Sequence, residues 1–136
     1  MPFKLFCPAL VAAAAALTLA ACGGDDSSAE ERENASPAVA LKEAGETRDA
    51  LTAALETYKS GDQGGAEEQV AEAYVQHFEE VEGALEARDA ELKEELEHAI
   101  ADELRGAMKA GKPAAEVEAQ VEAVVANLGK AEAALR

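Results

Sequence analysis

The sequence predicts an all-α protein, organised as an up-down-up-down four-helix bundle. Apolar or small residues recur at helical spacing in four runs of roughly twenty residues, and alanine, glutamate and lysine fill the positions between them. Glycine- and proline-containing loop signals separate the runs, and no run alternates with the period of two that is typical of a strand. Because the loops are short, consecutive helices should be antiparallel neighbours.

The N-terminal segment has the pattern of a secretory signal. Lys4 supplies a positive charge, and the apolar run over 10–21 has a length that suits a signal core but falls short of the roughly 20 residues that span a bilayer. The sequence Leu19-Ala20-Ala21-Cys22 then matches a bacterial lipoprotein box. We therefore expect residues 1–21 to be a signal peptide and Cys22 to carry lipid. An uncleaved anchor and a secreted protein with a spare cysteine are the alternatives.

If Cys22 is lipidated, no cysteine remains for other chemistry. The chain has two cysteines, and Cys7 leaves with the signal. The remaining Cys22 is lipidated, so no disulfide, thiolate metal site or cysteine nucleophile is available. More than one acyl chain, palmitate among them, anchors a protein stably, whereas a single chain does so only marginally. We expect a domain tethered to the extracytoplasmic face of the cell membrane, or to the outer membrane where there is one.

Charge limits the classes of partner. The chain has 12 basic and 28 acidic residues and a formal net charge of −16. Nucleic acid is excluded as an expected partner because its binding depends on basic residues that neutralise phosphates. Such a surface attracts cations and repels anionic lipid. Residues 22–35 are polar, acidic and without apolar period, which predicts a flexible spacer before one domain over 36–136.

The first two helices have readable ends. Ser36 and Pro37 suit the N-cap and first position of a helix that ends at Ser60-Gly61-Asp62. A second helix should follow the loop Gln63-Gly64-Gly65 and end near Ala87. The apolar positions expected to face the core are Ala40, Ala44, Leu51, Ala54, Leu55 and Tyr58 in the first helix and Val70, Tyr74, Phe78, Val81 and Leu85 in the second.

The third and fourth helices are read in the same way. Asp89 can cap a third helix, and Gly111-Lys112-Pro113 ends it and begins the fourth. The core positions expected here are Leu92, Leu96, Ile100, Leu104 and Met108 in the third helix and Val117, Val121, Val124, Val125, Leu128 and Leu135 in the fourth. This core is rich in alanine and poor in aromatic residues, so burial should stabilise the domain only modestly.

Some charged residues fall where the pattern asks for apolar ones. At about 100° per residue, Glu82 lies inside the apolar arc of the second helix together with Val75, and Glu103 lies inside that of the third. Glu79 and Glu97 flank these arcs. A buried carboxylate needs a partner, a proton or a cation. Arg48, on the margin of the first helix, is a candidate ion-pair partner for the inward glutamates.

The cation reading makes Glu79, Glu82, Glu97 and Glu103 candidate metal ligands. Oxygen-only sites suit hard cations such as ferric iron, manganese, calcium or magnesium. The two histidines fit poorly as ligands: His77 lies on the flank opposite Glu79, and His98 lies on the outer face. The paired Glu-x-x-His spacing of di-iron bundles is absent. No phosphate loop or nucleophile-and-base pattern is present, so we expect no enzyme.

Part of the domain resembles a known family. Tyr58-Lys-Ser-Gly61-Asp62, Ala73-Tyr74 and Phe78-Glu79 with Glu82, followed by Leu96-Glu97 and Leu104-Arg105, resemble the helical extracytoplasmic region of bacterial Ftr-type high-affinity iron permeases. The resemblance covers roughly 51–110. It implies a role in envelope iron handling beside a permease, with Glu79 and Glu82 as the matching acidic pair. The permease motif Arg-Glu-x-x-Glu is missing, so the resemblance implies an accessory protein and not the transporter.

Two functions are therefore expected. The first is a membrane-anchored lipoprotein that binds or presents a cation, iron foremost, for a membrane permease. The alternative is a structural or interaction bundle that binds a membrane protein partner without metal, with Arg48 neutralising the inward glutamates.

Overall fold

Residues 35–136 are described by a computed structural model, and all of their regular structure is helical. The predicted all-α class is thereby confirmed. The predicted signal over 1–21, the lipid site Cys22 and the spacer as far as residue 34 lie outside the described residues.

Five α-helices and two π-helical turns make up the described chain. The α-helices are α1 Pro37–Lys59, α2 Gln63–Ala73, α3 Glu79–His98, α4 Arg105–Lys109 and α5 Ala114–Leu135. One π turn, Tyr74–Phe78, joins α2 to α3, and the other, Ala99–Leu104, joins α3 to α4. Within these residues no helix has the length and apolar character needed to cross a membrane.

Most helix ends are the predicted ones, but the predicted loop Gln63-Gly64-Gly65 is instead the first turn of α2. The Asp62 carboxylate caps this helix and accepts a 2.9 Å hydrogen bond from the Gly65 amide. The Ser36 hydroxyl accepts a 3.3 Å hydrogen bond from the Val39 amide, and Pro37 occupies the first turn of α1. Within α3 the chain leaves helical geometry at Asp89, where φ is −154° and ψ is 81°. The Asp89 carboxylate accepts a 3.0 Å hydrogen bond from the Leu92 amide. Asp89 therefore caps the helix that restarts behind it, as the sequence predicts.

Two left-handed glycines end α1 and α4. Gly61 has a φ of 101° and Gly111 a φ of 65°. At each turn the amide of the residue after the glycine donates a hydrogen bond to the carbonyl five residues earlier. Asp62 donates to Thr57 at 3.3 Å, and Lys112 donates to Ala107 at 3.1 Å. This pattern satisfies the last helical carbonyls and needs a residue without a Cβ.

The core lies between α1, α3 and α5, with α2 packed on α1 and on α4. The predicted core positions are all buried except Tyr74 and Val125, which are partly buried. Val75, expected to face inward, is instead 47% exposed. It lies inside the first π turn, which holds more residues per turn than the α-helix that the prediction assumed.

The first and last helices run in opposite directions side by side. Lys59 near the end of α1 forms a 2.6 Å ion pair with Glu118 near the start of α5. Arg48, in the middle of α1, pairs with Glu132 close to the end of α5. These two contacts place the beginning of α1 and the end of α5 at the same end of the molecule.

Candidate functional site

A half-buried tyrosine and a half-buried glutamate form the centre of the candidate site. Tyr74 opens the first π turn, and Glu82 lies two turns further along in α3. The Tyr74 hydroxyl donates a 2.6 Å hydrogen bond to Oε1 of Glu82. A short bond to a carboxylate is stronger than one between neutral groups, so this contact holds both side chains in place.

Burial and neighbouring negative charge shape the electrostatics of this pair. Burial raises the pKa of Glu82, and the charges of Glu97 and Glu79 raise it further. The hydrogen bond from Tyr74 and the positive charge of Lys93 act in the opposite direction. The pKa of Tyr74 is also raised, first by burial and then by its bond to Glu82. The site therefore holds an excess of negative charge in a partly desolvated place.

A lysine supplies the positive charge of this site. The Lys93 ammonium forms a 2.7 Å ion pair with Oε2 of Glu97, four residues later in α3, and its side chain is only 19% exposed. Its hydrogen bond to Glu97 raises the pKa of Lys93, and the charges of Glu97, Glu82 and Glu86 add to this shift. We call Tyr74, Glu79, Glu82, Lys93 and Glu97 the tyrosine–carboxylate cluster.

Three of the four predicted acidic ligands belong to this cluster, and Glu103 does not. The prediction that Glu103 faces inward is wrong, because its side chain is 58% exposed and lies 3.6 Å from Nε2 of His98. Glu103 falls inside the second π turn. A helical wheel of about 100° per residue overestimates the rotation across such a turn, which carries i→i+5 spacing.

Arg48 has a different partner from the predicted one. Its Nη1 lies 2.5 Å from Oε1 of Glu132, whose side chain is 14% exposed, and so it joins α1 to α5. The expectation that Arg48 neutralises Glu82 or Glu103 is wrong. The wheel places Arg48 on the margin of α1, and the helix that lies along this margin is α5.

Both histidines lie at π turns and contact carboxylates. His77, inside the first π turn, has its Nδ1 2.8 Å from Oε2 of Glu43 in α1. His98, just before the second π turn, is exposed as expected, and its Nδ1 lies 3.0 Å from Oδ2 of Asp102. The bridge between His77 and α1 was not predicted, since the flank of a single helix does not reveal which neighbour it meets.

The cluster offers oxygen donors of the kind that hard cations prefer. Nevertheless, within residues 35–136 no three histidine, cysteine, aspartate or glutamate side chains are arranged so as to hold a metal ion. The Lys93 ammonium occupies the position of a counter-ion among these carboxylates. Sequence reasoning missed both Tyr74 and Lys93 as members of the site, although the spacing of Lys93 and Glu97 is that of an i,i+4 ion pair.

Comparison with known proteins adds no relative to this description. No protein-family model matches the chain, and neither the curated proteins nor the solved structures yield a match.

Proposed function

We propose that this chain is a non-catalytic extracytoplasmic lipoprotein that binds a hard cation reversibly and presents it to a membrane permease. Iron is the cation that the resemblance to the permease domain implies. The tyrosine–carboxylate cluster is the proposed binding site. The tether is lipid on Cys22, as the Leu19-Ala20-Ala21-Cys22 box indicates.

We further propose that the domain is an up-down-up-down four-helix bundle. In this interpretation the Asp89 break divides α3, so that 63–88 and 90–109 are two antiparallel helices between α1 and α5. Two observations support this topology. The Tyr58 hydroxyl bonds to the carbonyl of Lys112, so the turns after α1 and α4 lie together at one end. In addition, α1 and α5 run antiparallel.

The observation that carries the cation proposal is the negative charge collected around Glu82. Tyr74 and Glu82 are joined by a hydrogen bond, and the negative charges of Glu97 and Glu79 raise the pKa of both. The positive charge of Lys93 lowers the pKa of Glu82. Carboxylate and phenol oxygens suit hard cations.

The arrangement favours reversible binding. The carboxylates are not gathered into a three-ligand site in the described residues, and the Lys93 ammonium competes for Glu97. A bound cation must therefore displace this ammonium and draw the glutamates together, which lowers its affinity. Weak binding suits a protein that hands its cation to a permease more than one that stores it.

The test is a titration of the full-length protein with ferric iron in a weak chelate, and with manganese and calcium, by calorimetry and thermal melting. We expect saturable binding that raises the melting temperature and that falls about tenfold in Glu82→Gln. Lys93→Met should tighten binding because it removes the competitor. Glu122→Gln, an exposed carboxylate on α5, is the matched control and should bind like the wild type.

Uptake that does not saturate, that fades with salt and that is equal in Glu82→Gln and Glu122→Gln would contradict the proposal. Such a result would mean that only the acidic surface attracts the cation.

A second candidate is a bundle that binds a membrane protein partner without metal. It is favoured by the Tyr74 hydrogen bond and the positive charge of Lys93, which offset part of the free-energy cost of burying the Glu82 carboxylate. This candidate predicts no saturable cation binding, and it predicts that Glu82→Leu is tolerated or stabilising, as for other buried charges replaced by apolar side chains.

The tether is tested separately, by mass spectrometry of the purified chain and by fractionation. We expect a diacylglycerol-modified Cys22 at the new N-terminus and a protein found with membranes. Cys22→Ala should release the protein from the membrane fraction. An unmodified Cys22 in a membrane-free protein would contradict the lipoprotein assignment.

A further inference from the structure

The chain reverses its direction at Asp89 through a single residue. Asp89 is the one residue of α3 whose φ and ψ, −154° and 81°, lie outside the helical region. Glu67 of α2 and Arg105 of α4 form a 2.6 Å ion pair, so the two arms on either side of Asp89 fold back against each other. Connections between neighbouring helices in bundles usually have about two to eight residues. The connection at Asp89 is therefore unusually short.

The sequence around Asp89 favours a helix and not a break. Residues 84–105 contain neither glycine nor proline, and alanine, glutamate, arginine and leucine surround Asp89. The other two reversals of the chain differ, because Gly61 and Gly111 end their helices with a positive φ and Pro113 follows the second of them. Of the three reversals within residues 35–136, the one at Asp89 consists of residues that a continuous helix accepts.

Local side-chain contacts stabilise the break. The Asp89 carboxylate accepts a 3.0 Å hydrogen bond from the Leu92 amide, and Nη1 of Arg88 donates a 3.1 Å hydrogen bond to the carbonyl of Ala84. Residues 86–91 are all exposed, so none of them secures the bend by packing in the core. A continuous helix would bond the Leu92 amide to the carbonyl of Arg88 instead. It would also pair the other amides and carbonyls that two helix ends leave without an intrahelical partner.

Straightening the chain at Asp89 separates two halves of the domain. One half consists of α1 and 63–88, and the other consists of 90–109 and α5. Four polar contacts described above join the halves, namely Tyr58 with Lys112, Lys59 with Glu118, Arg48 with Glu132, and Glu67 with Arg105. A second copy straightened in the same way presents the same surfaces. Each half therefore packs on the opposite half of its partner and restores these contacts between the two copies.

We infer that this chain forms a domain-swapped dimer in which residues 63–109 are one continuous helix about 70 Å long. The tyrosine–carboxylate cluster is then shared between the two copies. Each cluster combines three residues of one copy with two residues of the other, namely Tyr74, Glu79 and Glu82 with Lys93 and Glu97. This inference rests on the proposed antiparallel bundle and not on the proposed cation binding.

The balance between monomer and dimer depends on protein concentration. In the monomer the covalent link through Asp89 keeps the two halves at a high effective concentration. The dimer gains a continuous helix at both breaks but loses the free translation and rotation of one copy. Because interconversion requires the halves to separate, the two forms should exchange as slowly as the domain unfolds.

The first experiment is analytical ultracentrifugation of the full-length protein over a range of concentrations, in detergent so that lipid does not cause association. We expect a monomer–dimer equilibrium for the wild type. Asp89→Ala removes the cap at both breaks and should lower the dissociation constant of the dimer by at least about tenfold. Insertion of two glycines after Asp89 lengthens the connection and should give the monomer alone.

Asp62→Ala is the matched control for Asp89→Ala. It also removes a capping carboxylate, the one that accepts the hydrogen bond of the Gly65 amide. Gly61, with its φ of 101°, still ends α1 in this variant, so the two helices cannot merge. The dissociation constant should therefore remain that of the wild type.

A charge-exchange experiment identifies the swapped arrangement. Glu67→Arg and Arg105→Glu each place like charges at the ion pair between α2 and α4 within a single chain. In a swapped dimer of one chain of each variant, position 67 of each copy meets position 105 of the other, and opposite charges are restored. After joint unfolding and refolding, we expect the mixture to form a heterodimer that melts above either variant alone. Copies that pack side by side without exchange would keep the like-charge pairs.

The inference is overturned if Asp89→Ala stays monomeric, if the glycine insertion dimerises as the wild type does, or if the mixed charge variants form no heterodimer. The bundle itself is tested by combining Glu67→Arg and Arg105→Glu in one chain, which should recover the melting temperature of the monomer. Recovery without a heterodimer would remove the swap and leave the antiparallel bundle standing. No recovery would contradict the bundle as well.

Discussion

The hydroxyl of Tyr58, near the end of α1, donates a 2.6 Å hydrogen bond to the backbone carbonyl of Lys112, in the loop before α5. The ring is 5% exposed, so its apolar part packs in the core while its oxygen joins two distant loops. The bond ties the turns at Gly61 and Gly111 to each other.

Tyr58→Phe should therefore lower the free energy of unfolding by about 1 kcal/mol. The ring remains in place, so no cavity forms and only the bond to Lys112 is lost. Urea unfolding followed by circular dichroism measures the change. Ser60→Ala, which removes a local hydroxyl bond to Thr57 on the exposed surface, is the control and should cost clearly less. If both variants lose the same free energy of unfolding, the hydrogen bond between the two loops adds no more stability than a local surface hydrogen bond does.

Glycine substitutions should change stability in opposite directions, depending on the backbone. Gly111→Ala should destabilise by about 1 kcal/mol or more, since φ is 65° and a Cβ would lie 3.0 Å from Oε1 of Gln63. Gly129→Ala, inside α5 with open space around its Cβ, should stabilise by about 0.5–1 kcal/mol. Thermal melting of the two variants measures both. A loss at Gly129 would contradict the helical packing described for α5.

The ion pair of Arg48 and Glu132 is tested by a double-mutant cycle. We expect a coupling free energy of about 1 kcal/mol, at the upper end for surface pairs, because Glu132 is mostly shielded from water. The variants are Arg48→Ala, Glu132→Ala and their combination, measured by urea unfolding. The matched cycle between Arg48 and Glu82 should give no coupling. A coupling free energy in that second cycle would support the sequence prediction that Arg48 pairs with Glu82.

Acid should weaken one contact between α1 and the first π turn. Oε1 of Glu43 lies 2.8 Å from the Lys42 ammonium and Oε2 lies 2.8 Å from Nδ1 of His77. The hydrogen bond from Lys42, followed by that from His77, holds the pKa of Glu43 below its ordinary value of 4.5, against the opposing effect of burial. A carboxylate with a lowered folded pKa stabilises the protein above its unfolded pKa, and this stabilisation is lost as pH falls through the folded value.

Wild type should therefore be more stable than Glu43→Gln at pH 7, by less than about 1 kcal/mol because water screens the pair, and the difference should disappear as pH falls below 4.5 and through the lowered folded pKa of Glu43. Urea unfolding across this range measures the difference. Glu116→Gln, which removes an exposed pair with Lys112, serves as the control. A difference between wild type and Glu43→Gln that stays constant with pH would exclude the ionic origin.

The sequence was sufficient for the helical class and for most helix ends, because these depend on local chemistry; the start of α2 at Gln63 and the two π turns were not predicted. Ser36, Asp89 and Gly111 each act on neighbouring backbone groups, so their roles can be read from the chain alone. Core positions followed as well, because burial repeats with the helical period.

The arrangement of charged residues was predicted less well, for two physical reasons. The prediction assumed regular α-helix, whereas Val75 and Glu103 lie inside π turns, where the rotation per residue is smaller, and this is why both were misplaced. The ion-pair partner of Arg48 depends on which helix packs along its side of α1, and the sequence of one helix does not indicate which helix that is. Tyr74 was assigned to the core on its ring alone, although its hydroxyl is what reaches Glu82.

The side-by-side placement of α1 and α5 has a consequence for the connectivity of the chain. These helices are the first and last of the described domain, so their pairing closes its longest loop and is the contact with the greatest entropic cost during folding. Because the start of α1 and the end of α5 lie at the same end of the molecule, they can also be joined and the chain opened elsewhere. A circular permutant that joins Arg136 to Ser36 by a short linker and begins at Asp89, where the chain is exposed and non-helical, would retain every interhelical contact.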